Sequence, residues 1–120
     1  MTMISSFIEK LSLYREKIAI IDSEKEISYS DLVKNISNFN LKLEKLNVSS
    51  GEVVFILGDY SFDSISLFFS LALNGNIIVP ITSDNEQEIN ERIDVAQPDW
   101  LLILIQIQKK KLNTVINLKD

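Results

Sequence analysis

Apolar residues recur along this chain at two different spacings, and the switches between them outline its elements. Ile4, Phe7, Ile8 and Leu11 fall at helical spacing and predict a short amphipathic helix at the start. Lys17 to Asp22 and Glu26 to Tyr29 read as two strands joined by Ser23-Glu24-Lys25, a hairpin. Ser30 and Asp31 then offer an N-cap and a favourable first-turn charge. Leu32, Ile36, Phe39, Leu43 and Leu46 form the inward stripe of a long helix, with Lys34, Asn38, Lys42 and Lys45 outside. Asn47-Val48-Ser49-Ser50-Gly51 ends it.

From there the pattern turns to buried strands separated by helices. Glu52 to Leu57 is a nearly unbroken apolar run, as expected of a parallel strand covered on both faces. Gly58-Asp59-Tyr60-Ser61 is a short connection, in which Ser61 or Asp59 could cap the next helix. That helix shows Phe62, Ile65, Phe68, Phe69 and Ala72 as a broad apolar face, and Asn74-Gly75-Asn76 stops it. Ile77 to Ile81 is the next strand, and Pro80 marks it as an exit or an edge. Ser83-Asp84-Asn85-Glu86 has the spacing of a capping box, with Ile89, Ile93 and Ala96 continuing a helix toward Pro98. Trp100 to Ile105 reads as a third buried strand, followed by the alternating Ile105-Gln106-Ile107-Gln108. The tail from Lys109 is weakly patterned, although Leu112, Val115, Ile116 and Leu118 could form one more element.

These expectations define an α/β fold: a three-stranded parallel βαβαβ core with an N-terminal helix and β-hairpin. The hairpin should lie apart from the parallel sheet or at its margin, and residues 1–120 should form a single α/β domain. The expected core is Leu32, Ile36, Phe39, Leu43, Val54, Ile56, Ile65, Phe68, Phe69, Ala72, Ile78, Val79, Ile93, Leu102 and Ile103.

Composition narrows the chemistry. With 46% hydrophobic and 24% charged residues, the chain is ordinary for a globular protein. Twelve basic against seventeen acidic residues give a charge of −5, which disfavours nucleic acid as a partner. Lys109-Lys110-Lys111 is the basic cluster, read as a solvated run closing an apolar strand. Cysteine and histidine are both absent, so disulfides, thiolate zinc sites and Ser-His-Asp or Cys-His catalysis are excluded within these residues. The opening residues do not resemble a signal peptide, and Ile65 to Leu73 is too short and too interrupted to span a bilayer. By elimination, the expected compartment is the cytoplasm.

No catalytic constellation emerges. The three glycines, Gly51, Gly58 and Gly75, are too far apart in sequence for a phosphate-cradling loop. Gly58, Asp59 and Tyr60 are the strongest positional candidates for a pocket, because α/β sheets bind ligands beyond the carboxyl ends of their strands. The blander reading of Asp59, Ser61 and Asp63 is as capping and dipole-complementing groups. Glu86, Glu88 and Glu91 cluster on one helix but read as a solvated face rather than a metal site, and Trp100 reads as core.

The order of elements resembles the start of the adenylate-forming superfamily, which includes acyl-CoA synthetases, luciferases and amino-acid adenylation domains. Ile18 to Asp22 followed by Ile27-Ser28-Tyr29-Ser30-Asp31-Leu32 looks like that family's opening hairpin and first long helix. Val48-Ser49-Ser50-Gly51-Glu52-Val53-Val54 resembles its entry to the next strand. Asn74 to Ile81 and Ala96-Gln97-Pro98-Asp99-Trp100-Leu101-Leu102 resemble two later segments. Gly58-Asp59 stands where the family usually has Pro-Asn, and Ser83-Asp84-Asn85 replaces a common Pro-containing loop. The resemblance implies a parent enzyme that uses ATP and magnesium to activate a carboxylate and then passes the acyl group to CoA or another thiol. It also implies that the remainder of a ligase chain is the main partner. The family's phosphate loop, magnesium ligand, ribose-binding aspartate and mobile lysine have no counterpart here, so no catalytic, cofactor-binding or metal residue carries over. Two alternatives stay open: a free-standing small-molecule module at Gly58, Asp59 and Tyr60, and an interaction domain. The latter would pair with a second copy through an exposed strand edge around Leu104 to Ile107.

Overall fold

The computed structural model describes residues 3–82, 85–107 and 110–118. Helix α1 (Met3–Ser12) precedes a hairpin of β1 (Ile18–Asp22) and β2 (Lys25–Ser28), which runs directly into α2 (Tyr29–Leu46). Then come β3 (Val53–Leu57), α3 (Phe62–Leu73), β4 (Ile77–Ile81), α4 (Glu86–Ala96), β5 (Trp100–Ile107) and β6 (Lys110–Asn117). The hairpin is a sheet of its own, as expected, and the larger sheet has the order β4-β3-β5-β6. Strand β3 pairs in parallel with both β4 and β5, so the expected βαβαβ core is present with β3 at its centre.

Strand β6 changes one expectation. It pairs antiparallel with β5 along its whole length, from Trp100↔Asn117 to Ile107↔Lys110. The edge around Leu104 to Ile107, expected to be open for a second copy, is occupied from within the chain. Lys110 and Lys111 therefore belong to a strand rather than to a loose tail, while Lys109 lies outside the described residues. Strand β4 forms the other edge, where Pro80 removes no ladder donor that a neighbour would need.

Local chemistry sets the element boundaries. The hairpin turns at Ser23 and Glu24, both with positive φ (49° and 69°), the mirror-image turn whose twist suits two right-twisted strands. Helix α2 starts earlier than the Ser30 cap would imply: Ser28 is the N-cap, and its Oγ accepts the Asp31 N–H at 3.1 Å. At the other end Asn47 adopts the left-handed conformation (φ 60°) and its N–H returns to Glu44 and Leu43 carbonyls. Helix α4 is capped by Asn85, whose side chain accepts the Glu88 N–H, so the expected box from Ser83 to Glu86 is not the cap; Ser83 itself lies outside the described residues.

Three apolar clusters hold the layers together. Under α2 and α3, one sheet face buries Val54, Ile56, Trp100 and Leu102 against Phe39, Leu43, Leu67 and Leu71. Away from the sheet, Leu11, Leu32 and Ile36 gather Ile8 of α1, Ile20 of the hairpin and Phe69 of α3. On the opposite sheet face Phe55, Ile81 and Leu101 are covered by Ile89 and Ile93 of α4.

The inward face of α3 differs from the one its large residues suggest. Leu67 and Leu71 face the sheet, and Ser64, Ser66 and Ser70 are also buried, whereas Phe68 is 41% exposed. Ile65, Phe69 and Ala72 are half-buried. The helix is hemmed in on two sides, and the short serines let α2 approach closely. Ser66 Oγ accepts from Asn35 and donates to the Phe62 carbonyl, and Ser70 Oγ donates to Asn40 Oδ1. Once those positions turn inward, helical geometry leaves Phe68 outside. Of the remaining expected core, Ile78, Val79, Ile93 and Ile103 are half-buried.

Candidate functional site

The carboxyl end of β3 carries the turn Gly58-Asp59-Tyr60. Gly58 passes close to the neighbouring strand: a Cβ there would lie 2.4 Å from the Leu104 carbonyl oxygen, and φ is +148°. Its N–H donates to the Ile81 carbonyl at 3.0 Å, which ties the turn to the end of β4. Only a residue without a side chain fits between the ends of β4 and β5. Asp59 and Tyr60 follow on the surface, and Tyr60 is 76% exposed. The Asp59 carbonyl accepts the Ser64 hydroxyl at 3.0 Å.

Ser61, rather than Asp59, caps α3. Its Oγ accepts the Ser64 N–H at 3.1 Å, and the Ser64 Oγ accepts the Ser61 N–H at 2.7 Å, a reciprocal capping box. The next donor, Phe62 N–H, bonds Asp22 Oδ2 at 2.9 Å. That contact was not legible in the sequence, because Asp22 ends β1 some forty residues away and nothing local marks it as a helix partner. Its carboxylate sits where the α3 dipole favours negative charge, and it fastens the hairpin to the helix. Asp63 is held differently: its Oδ1 accepts the Asn35 Nδ2 at 3.0 Å. Asp59 and Asp63, four residues apart, thus serve different surroundings.

The other candidates behave as solvated or packing groups. Glu88 pairs with Arg92 at 2.8 Å, and Glu91 accepts from Gln87, all along the exposed face of α4. Among the described residues no three acidic side chains converge as metal ligands would. Trp100 is 4% exposed, and its indole N–H donates to Glu52 Oε1 at 3.1 Å, so it belongs to the core and is not a stacking platform. Asp99 Oδ2 accepts the Val53 N–H at 2.8 Å, joining the starts of β5 and β3. A groove of about 550 Å³ opens at the far end of the sheet, between the carboxyl ends of α2 and α3, and does not include Gly58, Asp59 or Tyr60. None of the described helices is long and apolar enough to cross a membrane.

No family model matches the chain, and no curated protein does either. Solved structures do resemble it. The N-terminal subdomain of NpsA from Klebsiella oxytoca, solved with 3-hydroxyanthranilyl-AMSN, aligns with a TM-score of 0.76 and 22% identity over 82% of this chain. A mutant form of coronafacic acid ligase from Pectobacterium brasiliense aligns with a TM-score of 0.77 and 20% identity over 86%. Holo-AB3403, a four-domain nonribosomal peptide synthetase bound to AMP and glycine, gives a TM-score of 0.76 and 17% identity over 87%. The chain spans only 26%, 21% and 8% of those three chains. Its two sheets and their helices therefore share the fold of part of the NpsA N-terminal subdomain, and that is the fold to which the chain belongs.

Proposed function

We propose that this chain is the N-terminal scaffold portion of an ATP-dependent acid–thiol ligase and is inactive alone. The observation that carries the reading is the alignment of more than four-fifths of the chain with enzymes of this fold. In the parent reaction a carboxylate oxygen attacks the α-phosphorus of ATP and pyrophosphate leaves. A thiol sulfur, that of CoA in this reading, then attacks the acyl carbon and AMP leaves. A carrier-protein thiol is the alternative acceptor. The parent would be cytoplasmic, and its remaining chain would be the main partner of residues 1–120, which act as one domain.

The residues here do not fit the magnesium ion that such a parent uses. Asp63 is bonded to Asn35, Asp22 to the α3 N-terminus, and Asp59 is exposed on the surface. Stabilising a triphosphate during displacement calls for converging donors and cations, and positioning alone supplies roughly 7–11 kcal/mol of such a rate effect. With three scattered glycines and no glycine-rich phosphate loop in the sequence, the expected contribution of this segment is structural.

Two measurements test the proposal. With ATP, magnesium and a panel of fatty, aryl and amino acids, the chain should release no pyrophosphate. Saturable ATP binding with carboxylate-dependent pyrophosphate release would overturn the inactive-scaffold reading. The reading frame downstream of the Asp120 codon should continue into a Ser/Thr/Gly-rich loop ending in lysine. A stop codon there, with no ligase segment encoded nearby, would favour the free-standing module at Gly58, Asp59 and Tyr60 instead.

A further inference from the structure

The groove between the carboxyl ends of α2 and α3 has an electrostatic bias that the fold does not require. Its floor is apolar, formed by Leu43 and Val48, both buried, and by half-buried Leu73. Its rim includes Glu44, Asn47 and Asn74. Asn47 is the C-cap of α2 and Asn74 that of α3, so both helices present the negative end of their dipole to the same opening.

Glu44 sits in the last turn of α2, where that dipole disfavours a carboxylate; Lys45 shares that turn, and α3 has no basic residue in its own last turn. Among the described residues Glu44 has no ion pair. Neither Lys42 nor Lys45 lines the groove, and Lys42 lies over the Phe39 ring at 5.1 Å. Asn74 adds an acceptor of fixed direction. Its Nδ2 donates to the Val48 carbonyl at 3.0 Å and to Asn76 Oδ1 at 2.8 Å, which leaves its amide oxygen to accept. A carboxylate placed against local electrostatics, beside oriented acceptors and over an apolar floor, marks a place where a local rule is broken without a structural gain.

We propose that this groove binds a small aliphatic amine as its ammonium ion. The alkyl stem would lie on Leu43, Val48 and Leu73, and the ammonium would sit beside Glu44 and the Asn74 amide oxygen. The proposal stands independently of the ligase reading, since the groove lies at the opposite end of the sheet from Gly58, Asp59 and Tyr60.

The test is an amide-shift titration of the full chain with n-butylammonium, with butanol and butyrate as neutral and anionic controls and a blocked lysine in parallel. Butylammonium should give saturable shifts at Asn47, Ser49 and Asn74, weakened by added salt. Glu44→Gln should reduce its affinity by about fivefold, the scale of one partly exposed charge contact at a helix terminus. Glu44→Lys should abolish binding while raising the unfolding midpoint, because it turns an unfavourable end charge into a favourable one. Equal binding of butanol, or an affinity unchanged in Glu44→Gln, would overturn the proposal by showing an apolar groove only. Tighter binding of the blocked lysine than of butylammonium would overturn the assignment to a free amine and point to a protein side chain.

Discussion

At the scale of single residues, the most constrained position is Gly58, where the β3–α3 turn passes the Leu104 carbonyl. A methyl group there must displace backbone, and the +148° φ adds strain for any side chain. Gly58→Ala should therefore cost about 1–3 kcal/mol, the usual range for forced overpacking. Urea denaturation would show it as a lowered midpoint with an unchanged slope, and an unchanged midpoint would mean that the strand ends yield freely. Asp22 makes a second prediction. Asp22→Ala removes an acceptor and a negative charge from the α3 N-terminus and should cost about 1 kcal/mol. Asp22→Asn keeps an oxygen acceptor and should recover part of that loss, which separates the hydrogen bond from the charge.

At the scale of elements, α3 is where pattern reading and packing part company. Its Phe residues dominate the hydrophobic pattern, yet Leu67, Leu71 and the serines are the ones enclosed. Leu71→Ala should cost about 2–5 kcal/mol, as for other core leucines, while Phe68→Ala should stay within about 0.5 kcal/mol. Phe69, half-buried between Phe7 and Phe68, should fall between them and short of the full cost of an enclosed phenylalanine. Reversal of that order in thermal unfolding would put a different face of α3 inward. Ser70→Leu would wedge α2 from α3 and should destabilise by about 1–3 kcal/mol despite its greater hydrophobicity.

At the scale of the whole molecule, β6 covers the β5 edge and is itself the edge of the sheet on that side. Expectation of a second copy at that edge rested on an open ladder, and β6 fills it. Removing residues 108–120 would bare the β5 backbone, so the shortened chain should associate with itself in light scattering while the full chain should not do so through that edge. A shortened chain that stays monomeric across a dilution series would count against edge pairing as the driving force.

Much of this was legible from residue order alone. The alternation between helical spacing and unbroken apolar runs located the helices, the hairpin and the three parallel strands, because each period is a local geometric consequence of one backbone conformation. The α2 stripe of Leu32, Ile36, Phe39 and Leu43 was legible for the same reason: a single packed face imposes its period on the sequence. Likewise the placing of Gly58-Asp59-Tyr60 at a strand's carboxyl end followed from element order. What tertiary structure alone decided were contacts between distant segments. Asp22 meets α3, Asn35 reaches Asp63 and Ser66, and β6 pairs with β5, and none of these leaves a periodic trace. Helix α3, packed on more than one side, buries small polar residues that look exposed in sequence and exposes a phenylalanine that looks buried. Burial there is set by how closely neighbouring elements approach, and that distance is a property of the assembled layers, not of any one segment.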